Sequence, residues 1–174
     1  HPAHLQDAAA AVTWVKSHIK EYGGDPAQIF LSGHSAGAYL AVQLALDPRY
    51  LAEHGLTLND LAGVFAISPF LYVEEVAPQR PKVVWGKDPA GWLAPSVSSY
   101  VGADKPPMRL VYAEGDELWR RRQNERLAAD LAGFEVDAKA LMVPNRNHTS
   151  IMTKADHAED LVVVAIYQFI SGDE

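Results

Sequence analysis

The feature that most constrains the fold of this chain is a Gly-x-Ser-x-Gly motif centred on Ser35. An apolar run of strand length (residues 29–32) precedes the motif, and a helix-forming run (residues 38–46) follows it. This order is the context of a nucleophile elbow, in which a sharp turn holds the serine hydroxyl clear of the backbone. Gly33 and Gly37 lie where a Cβ would collide with the neighbouring strand or helix. We therefore predict that Ser35 is a nucleophile rather than a serine in an ordinary glycine-rich turn.

Helical and strand-like patterns alternate along the rest of the chain. A first helix is predicted from Asp7, a plausible N-cap, to about residue 22. Further strands are predicted at 61–68, 108–113 and 138–143, and further helices at 118–132 and about 155–170. Strands that alternate with helices predict an α/β fold with a mostly parallel sheet and flanking helices.

One segment departs from this alternation. Residues 70–107 hold six of the eleven prolines, but their aromatic and valine content is too high for a disordered linker. We predict a packed, cap-like excursion, so that residues 1–174 form a single domain with this irregular insert.

Charge and composition exclude several functions. The net charge of −7 argues against nucleic acid or an anionic membrane as a partner, because both require a basic face. The chain has no cysteine, so it has neither disulfides nor thiolate metal ligands. No apolar run reaches the length of a membrane span, and no signal peptide is visible at His1. We expect a cytoplasmic location.

Three polar residues each follow the end of a predicted strand: Ser35, Asp116 and His148. In open α/β sheets, reactive groups gather beyond the carboxyl ends of the strands. A serine hydroxyl needs a base within hydrogen-bond reach and a group that orients this base. His148 is the best candidate base, and Asp116 is the best orienting carboxylate, with Glu114 and Glu117 as rivals.

Other residues near the motif have predicted supporting roles. The Ala36 N–H, at the start of the helix, points where an oxyanion would form. His34, Tyr39 and Phe70 are candidates for the substrate pocket. The simpler interpretations are an ordinary elbow side chain for His34 and core packing for the two aromatic residues.

Two charged clusters receive ordinary interpretations. The run Arg120-Arg121-Arg122 is most simply a solvated helix face. A metal site is conceivable from His148, Asp156, His157 and Asp160, but this ligand set matches no closed geometry. We expect neither a metal nor a cofactor.

Several stretches together resemble a known family. They are Trp14 and Val15, Tyr-Gly-Gly-Asp-Pro (22–26), Gly-His-Ser-Ala-Gly-Ala-Tyr-Leu-Ala (33–41), Asp-Pro-Arg-Tyr-Leu (47–51), Pro-Pro (106–107) and Asn-His (147–148). With these motifs the chain resembles the α/β-hydrolase superfamily, in particular its carboxylesterase, feruloyl-esterase-like and kynurenine-formamidase-like group. The resemblance implies Ser35 as nucleophile, Asp116 as acid, His148 as base and Ala36 as an oxyanion donor.

The resemblance also implies an activity, namely hydrolysis of a small-molecule carboxylic ester through an acyl-serine intermediate. Arylformamide hydrolysis uses the same machinery and is the alternative reaction. A catalytically inactive hydrolase-fold fragment that acts as a binding module is the alternative from another class of function.

The front of the chain departs from the family pattern. Family members carry further strands before the Trp-Val helix, together with a His-Gly-Gly loop that supplies a second oxyanion donor, and no such motif is present here. We expect either a fragment or a naturally shortened protein. The sheet edge beside the elbow strand would then be uncovered, and such an edge invites pairing with a second copy. We therefore expect that the chain forms a homodimer or is weakly stable.

Overall fold

A computed structural model describes residues 1–80 and 82–173; Pro81, within the predicted excursion, and Glu174, at the end of the predicted domain, lie outside the described residues. The strands are β1 (Phe30–His34), β2 (Gly63–Ile67), β3 (Met108–Ala113) and β4 (Ala138–Val143). The α-helices are α1 (Ala3–His18), α2 (Ala36–Leu46), α3 (Arg49–Ala52), α4 (Val73–Val76), α5 (Lys82–Trp85), α6 (Leu118–Ala132), α7 (Ser150–Thr153) and α8 (Leu161–Ser171). Short 3₁₀ turns span Ile19–Tyr22, Leu58–Asp60, Ala77–Gln79, Pro89–Gly91 and Val97–Ser99.

The four strands form one parallel sheet in the order β1-β2-β3-β4. Phe30 pairs with Gly63, and Met108 pairs with both Val64 and Ala138. All the carboxyl ends therefore lie at the same edge of the sheet. This arrangement confirms the predicted α/β class with a mostly parallel sheet.

Helices cover both faces of this sheet. Every residue of β2 and β3 is buried, as expected for central strands of a parallel sheet. Val64 of β2 packs with side chains of α1, α2 and α6, whereas its neighbour Phe65 packs with Val162 and Phe169 of α8. The alternation arises because successive strand residues point to opposite faces.

Two predicted helix boundaries are wrong. The first helix begins at Ala3, after Pro2, so Asp7 lies inside the helix and is not its N-cap. Proline is well tolerated at a helix start, where its missing N–H would have no intrahelical acceptor. The last helix begins at Leu161 rather than near residue 155, because the Asp160 carboxylate accepts the N–H of Val162 and so caps α8.

Residues 70–107 form the irregular insert between β2 and β3. Short helices, among them α4 and α5, alternate with 3₁₀ turns. Phe70, Val73 and Val76 of this segment are buried against Tyr39 of α2. The single-domain organisation stays a prediction.

None of the helices in residues 1–80 and 82–173 is long and apolar enough to cross a bilayer. The cytoplasmic location stays a prediction.

Candidate active site

The turn between β1 and α2 presents Ser35 in a strained conformation. Its φ is +54° and its ψ is −111°, and its N–H donates to the Ile67 carbonyl at 2.8 Å. A Cβ at Gly33 would lie 2.5 Å from the backbone carbon of Gly37, which accounts for the first glycine of the motif. A Cβ at Gly37 would meet nothing within 4 Å in the described part of the chain, so the collision predicted there is wrong.

Hydrogen bonds join the three predicted catalytic residues into a continuous chain. His148 Nε2 lies 2.9 Å from Ser35 Oγ, and His148 Nδ1 lies 2.8 Å from Asp116 Oδ1. In the tautomer with its proton on Nδ1, His148 donates to Asp116 and accepts the serine hydroxyl proton. The three residues meet because they follow β1, β3 and β4, whose carboxyl ends share one edge of the sheet.

The two rival carboxylates are engaged elsewhere. Glu114 accepts the backbone N–H of Asn145 at 2.9 Å. Glu117 accepts from Arg120 Nε at 3.3 Å and its side chain is 60% exposed. Asp116 is the buried carboxylate of the three, and it is the one bonded to His148.

Two residues that sequence reasoning missed hold Asp116 in place. Its Oδ2 accepts the Ser68 hydroxyl at 2.5 Å and the Ala113 N–H at 3.0 Å. Arg120 Nε lies 3.7 Å from Asp116 Oδ1, and its guanidinium also donates to the Ser68 carbonyl at 2.9 Å. Ser68 is buried, has a φ of +49° and directly follows β2. Its position at a strand end is the signal that could have identified it.

The structure corrects the interpretation of the arginine run. The Arg120 side chain is only 5% exposed, so it belongs to the interior of the site and not to a solvated face. Arg121 donates to the Glu114 carbonyl, and only Arg122 is exposed as expected. Arg120 lies in the first turn of α6, and Asp116 lies just before this helix, so the two side chains are close together.

His34 contacts the base directly. Its Nε2–H donates to the His148 carbonyl at 2.8 Å, and the two rings lie 4.6 Å apart. Burial lowers the pKa of His34, although the hydrogen bond to that carbonyl acts in the opposite direction. His34 therefore fastens the loop after β4 to the elbow, and its role in a substrate pocket stays a prediction.

Two cavities of different character lie near the elbow. One lies beside the start of α2 and is mostly apolar; it is lined by Leu5, Ala36, Tyr39, Leu40, Phe70, Val84 and Trp85, with His1 and His4 as its polar members. The other is a mostly polar cleft that contains Ser35 itself; it is lined by Ser35, Gln79, Arg80, Glu117, Arg120 and His148, with Val76 and Trp119 as its apolar members. The predicted pocket residues Tyr39 and Phe70 stack at 4.7 Å in the apolar wall.

The residues of the conceivable metal site make other contacts. Asp160 is bonded to Arg146 and to the Val162 N–H, and His157 lies 3.6 Å from Glu159. Within residues 1–80 and 82–173, no group of three or more histidine or carboxylate side chains could hold a metal ion.

The chain is similar to several known proteins. Residues 1–152 match the model of a family described as having the alpha/beta hydrolase fold. The esterase LipQ of Mycobacterium tuberculosis is 32% identical over 164 residues, which cover 84% of this chain and 38% of LipQ. The probable carboxylic ester hydrolase LipM of the same organism is 32% identical over 135 residues, 67% of this chain and 31% of LipM. The chain thus spans about a third of the length of these relatives.

A solved structure shows the same fold. Esterase 2 of Thermogutta terrifontis, phosphoramylated by tabun, superimposes with a TM-score of 0.77 over 97% of this chain and 64% of that chain. The two sequences are only 20% identical, so this likeness concerns the fold.

Proposed function

The chain belongs to the alpha/beta hydrolase fold family, and on this premise we propose that it hydrolyses carboxylic esters of small molecules through an acyl-serine intermediate. The observation that carries the proposal is the hydrogen-bonded chain from Ser35 through His148 to Asp116. The names of LipQ, an esterase, and LipM, a probable carboxylic ester hydrolase, support an ester as the substrate.

In the first half of the reaction, Ser35 is acylated. Its Oγ attacks the ester carbonyl carbon while His148 Nε2 takes the hydroxyl proton, and the carbonyl oxygen becomes an oxyanion. The Ala36 N–H stabilises this oxyanion, because the first N–H groups of a helix have no intrahelical acceptor. The bond to the alcohol oxygen then breaks, and His148 gives its proton to this oxygen.

In the second half, water releases the acyl group. His148 Nε2 takes a proton from the water as its oxygen attacks the acyl carbon. The bond to Ser35 Oγ breaks and the serine regains its proton from His148. The net reaction converts ester and water into carboxylic acid and alcohol, and the site returns to its starting state.

The residues around Asp116 support both halves. The carboxylate holds His148 in the productive tautomer and stabilises the imidazolium that forms transiently. The Ser68 hydroxyl and the Arg120 guanidinium stabilise the ionised carboxylate and leave Oδ1 directed at the imidazole. They act on the reaction through Asp116 and touch no reacting atom.

The alternative functions are not favoured. The relatives above are named for ester chemistry, which does not favour arylformamide hydrolysis. An inactive binding module does not require a serine, a histidine and an aspartate at hydrogen-bond distances.

The test is turnover of 4-nitrophenyl butyrate by the chain and by Ser35→Ala. We expect the variant to lose activity by about 10⁴-fold or more. Ser17→Ala, the same change at an exposed serine of α1, is the matched control and should retain full activity. Equal rates for the chain and Ser35→Ala would refute the proposal. Faster turnover of an N-formyl arylamide than of the ester would instead favour the formamidase.

We further propose that the β1 edge of the sheet pairs with a second copy. In the described residues, the strand order leaves β1 without a neighbour on one side. An unpaired strand edge is a template for pairing with another chain. Light scattering coupled to gel filtration should give twice the mass of the chain, and a monomer at about 100 μM would contradict the dimer.

A further inference from the structure

Two unlike cavities adjoin the nucleophile elbow. The cavity that Ala36 lines is walled mainly by aliphatic and aromatic side chains, among them Tyr39 and Phe70, with His1 and His4 as its polar members. The cleft that Ser35 and His148 line is walled mainly by charged and amide side chains. An ester bound at Ser35 that reaches both cavities would therefore place chemically different groups in them.

The chemistry decides which part of the ester enters which space. The departing alcohol oxygen must receive its proton from His148 Nε2, so the alcohol portion lies within reach of this atom. His148 lines the polar cleft, which makes this cleft the alcohol site. Ala36, whose N–H would stabilise the oxyanion, lines the mostly apolar cavity beside α2, which makes this cavity the acyl site.

Some charged side chains of the polar cleft have partners of opposite charge among the described residues, and one does not. Arg120 is surrounded by Asp116, Glu117 and the Ser68 carbonyl, and Glu117 in turn is held by Arg120. These charges offset one another. Arg80, by contrast, is exposed and has no carboxylate partner among residues 1–80 and 82–173.

The Arg80 guanidinium nevertheless has an aromatic neighbour. It lies 5.2 Å from the centre of the Phe70 ring, in the geometry of a cation–π contact. Phe70 is itself packed, with Tyr39 stacked at 4.7 Å and Trp85 edge-on at 5.5 Å. Arg80 thus lies against a packed aromatic ring at the wall of the alcohol site. A guanidinium in such a position pairs well with planar anions, carboxylates above all.

We propose that the preferred substrates join an apolar acyl group to an alcohol that carries a carboxylate, and that Arg80 binds this carboxylate. The proposal rests on the ester hydrolysis proposed above and adds the class of the alcohol. Arg80 is a specificity residue, and the chemical steps at Ser35 do not require it.

The test compares esters that share an acyl group and differ in the charge of the alcohol. Suitable chromogenic probes are 4-nitrophenyl butyrate and 3-carboxy-4-nitrophenyl butyrate. For Arg80→Gln, we expect kcat/KM for the carboxylated ester to fall about fivefold, the scale of an exposed ion pair, with the neutral ester changed by less than about twofold. Arg80→Lys should retain part of the preference.

Arg122→Gln is the matched control. It removes the same charge from an exposed position on α6 that lines neither space, and it should leave both esters unaffected. Raising the ionic strength from about 0.05 to 0.5 M should lower the rate of the carboxylated ester selectively in the unmodified chain, because exposed charges are screened.

The outcomes separate this inference from the proposed function. Turnover of the neutral ester that depends on Ser35 supports the function by itself. If that turnover is present and Arg80→Gln changes both esters equally, or neither, the role of Arg80 is refuted and the esterase stands. If the unmodified chain turns over neither ester, both proposals are refuted.

Discussion

Asp116 and Asp160 occupy similar surroundings and make different use of them. Both are buried, and both lie beside an arginine and accept a backbone N–H. Asp160 accepts the Val162 N–H on one carboxylate oxygen and the Arg146 guanidinium on the other, so both oxygens have structural partners. Asp116 instead accepts a hydrogen bond from His148 on Oδ1.

The difference lies in where the neighbours come from. Arg146 and Val162 belong to the same stretch of chain as Asp160, so this cluster ties the loop that carries His148 to the start of α8. Asp116 also has neighbours that are close in sequence, Ala113 and Arg120, but its partners Ser68 and His148 follow two other strands, β2 and β4. Both aspartates are buried beside an arginine, so that pairing alone does not separate their roles. What separates them is that one carboxylate oxygen of Asp116 is bonded to the imidazole of His148, whereas neither oxygen of Asp160 is bonded to a histidine in the described part of the chain.

The largest expected effect separates the two aspartates by chemistry. Asp116→Asn should lower kcat by about 10⁴-fold, because an amide at this position favours the wrong imidazole tautomer. Asp160→Asn, the matched change, should keep kcat within about tenfold, since Asp160 does not contact the imidazole. Steady-state kinetics with 4-nitrophenyl butyrate measures both. Equal losses would abolish the distinction.

The second effect separates them by stability. Asp160→Asn leaves Arg146 without its carboxylate, and breaking a buried ion pair typically costs about 3 kcal/mol in the free energy of unfolding. For a chain of this size, that corresponds to a fall in Tm of about 6–12 °C. Thermal melts followed by circular dichroism measure it. Asp156→Asn, at an exposed aspartate, is the control and should leave the Tm unchanged; a similar loss there would contradict the role of Arg146.

The difference in Tm between the unmodified chain and Asp160→Asn should disappear at acidic pH. Burial opposes ionisation of Asp160, but the Val162 N–H and the Arg146 guanidinium outweigh it and lower its pKa below the ordinary value of 3.8. A lowered carboxyl pKa contributes stability that is present above the unfolded value and is lost as the pH falls through the folded value. The gap in Tm between the chain and Asp160→Asn should be equal at pH 7 and pH 5 and should shrink below about pH 4. A gap that shrinks between pH 7 and pH 5 would contradict this assignment.

The third effect concerns the arginine beside Asp116. Arg120→Met should lower kcat by about tenfold, because Asp116, which orients His148, loses the guanidinium beside its Oδ1. Arg120→Lys should restore part of kcat, and Arg122→Met is the surface control. A lower Tm with an unchanged kcat would mean that Arg120 is structural only, like Arg146.

The smallest effect concerns His34. Burial lowers its pKa, so the unfolded chain binds a proton there before the folded chain does, and stability is lost as the pH falls below the ordinary value of 6.5. His34→Gln lacks this loss. The Tm of the unmodified chain minus that of His34→Gln should decrease by about 1–2 °C between pH 7.5 and pH 5.5. His54→Gln, at an exposed histidine, should show no such trend, and an unchanged difference for His34→Gln would contradict the assignment.

The sequence by itself determined the fold class and the residues that meet at Ser35. Strands β3 and β4 and helix α6 lie at the predicted residues. The reason is that the spacing of apolar residues, which distinguishes a strand from a helix, can be recognised within a short window of sequence. Ser35, Asp116 and His148 were found because each lies in the turn or loop that follows a strand, and parallel strands place their carboxyl ends together.

Only the tertiary structure decided what surrounds these residues. Arg120 reads as surface in sequence, yet it is buried because β2 places the Ser68 carbonyl, 52 residues away, beside it. Asp7 looks like an N-cap, but the helix extends past it to Ala3. The physical reason is common to both: a window of sequence carries local propensity, whereas the partner of a polar group depends on which distant strands lie side by side and in what register.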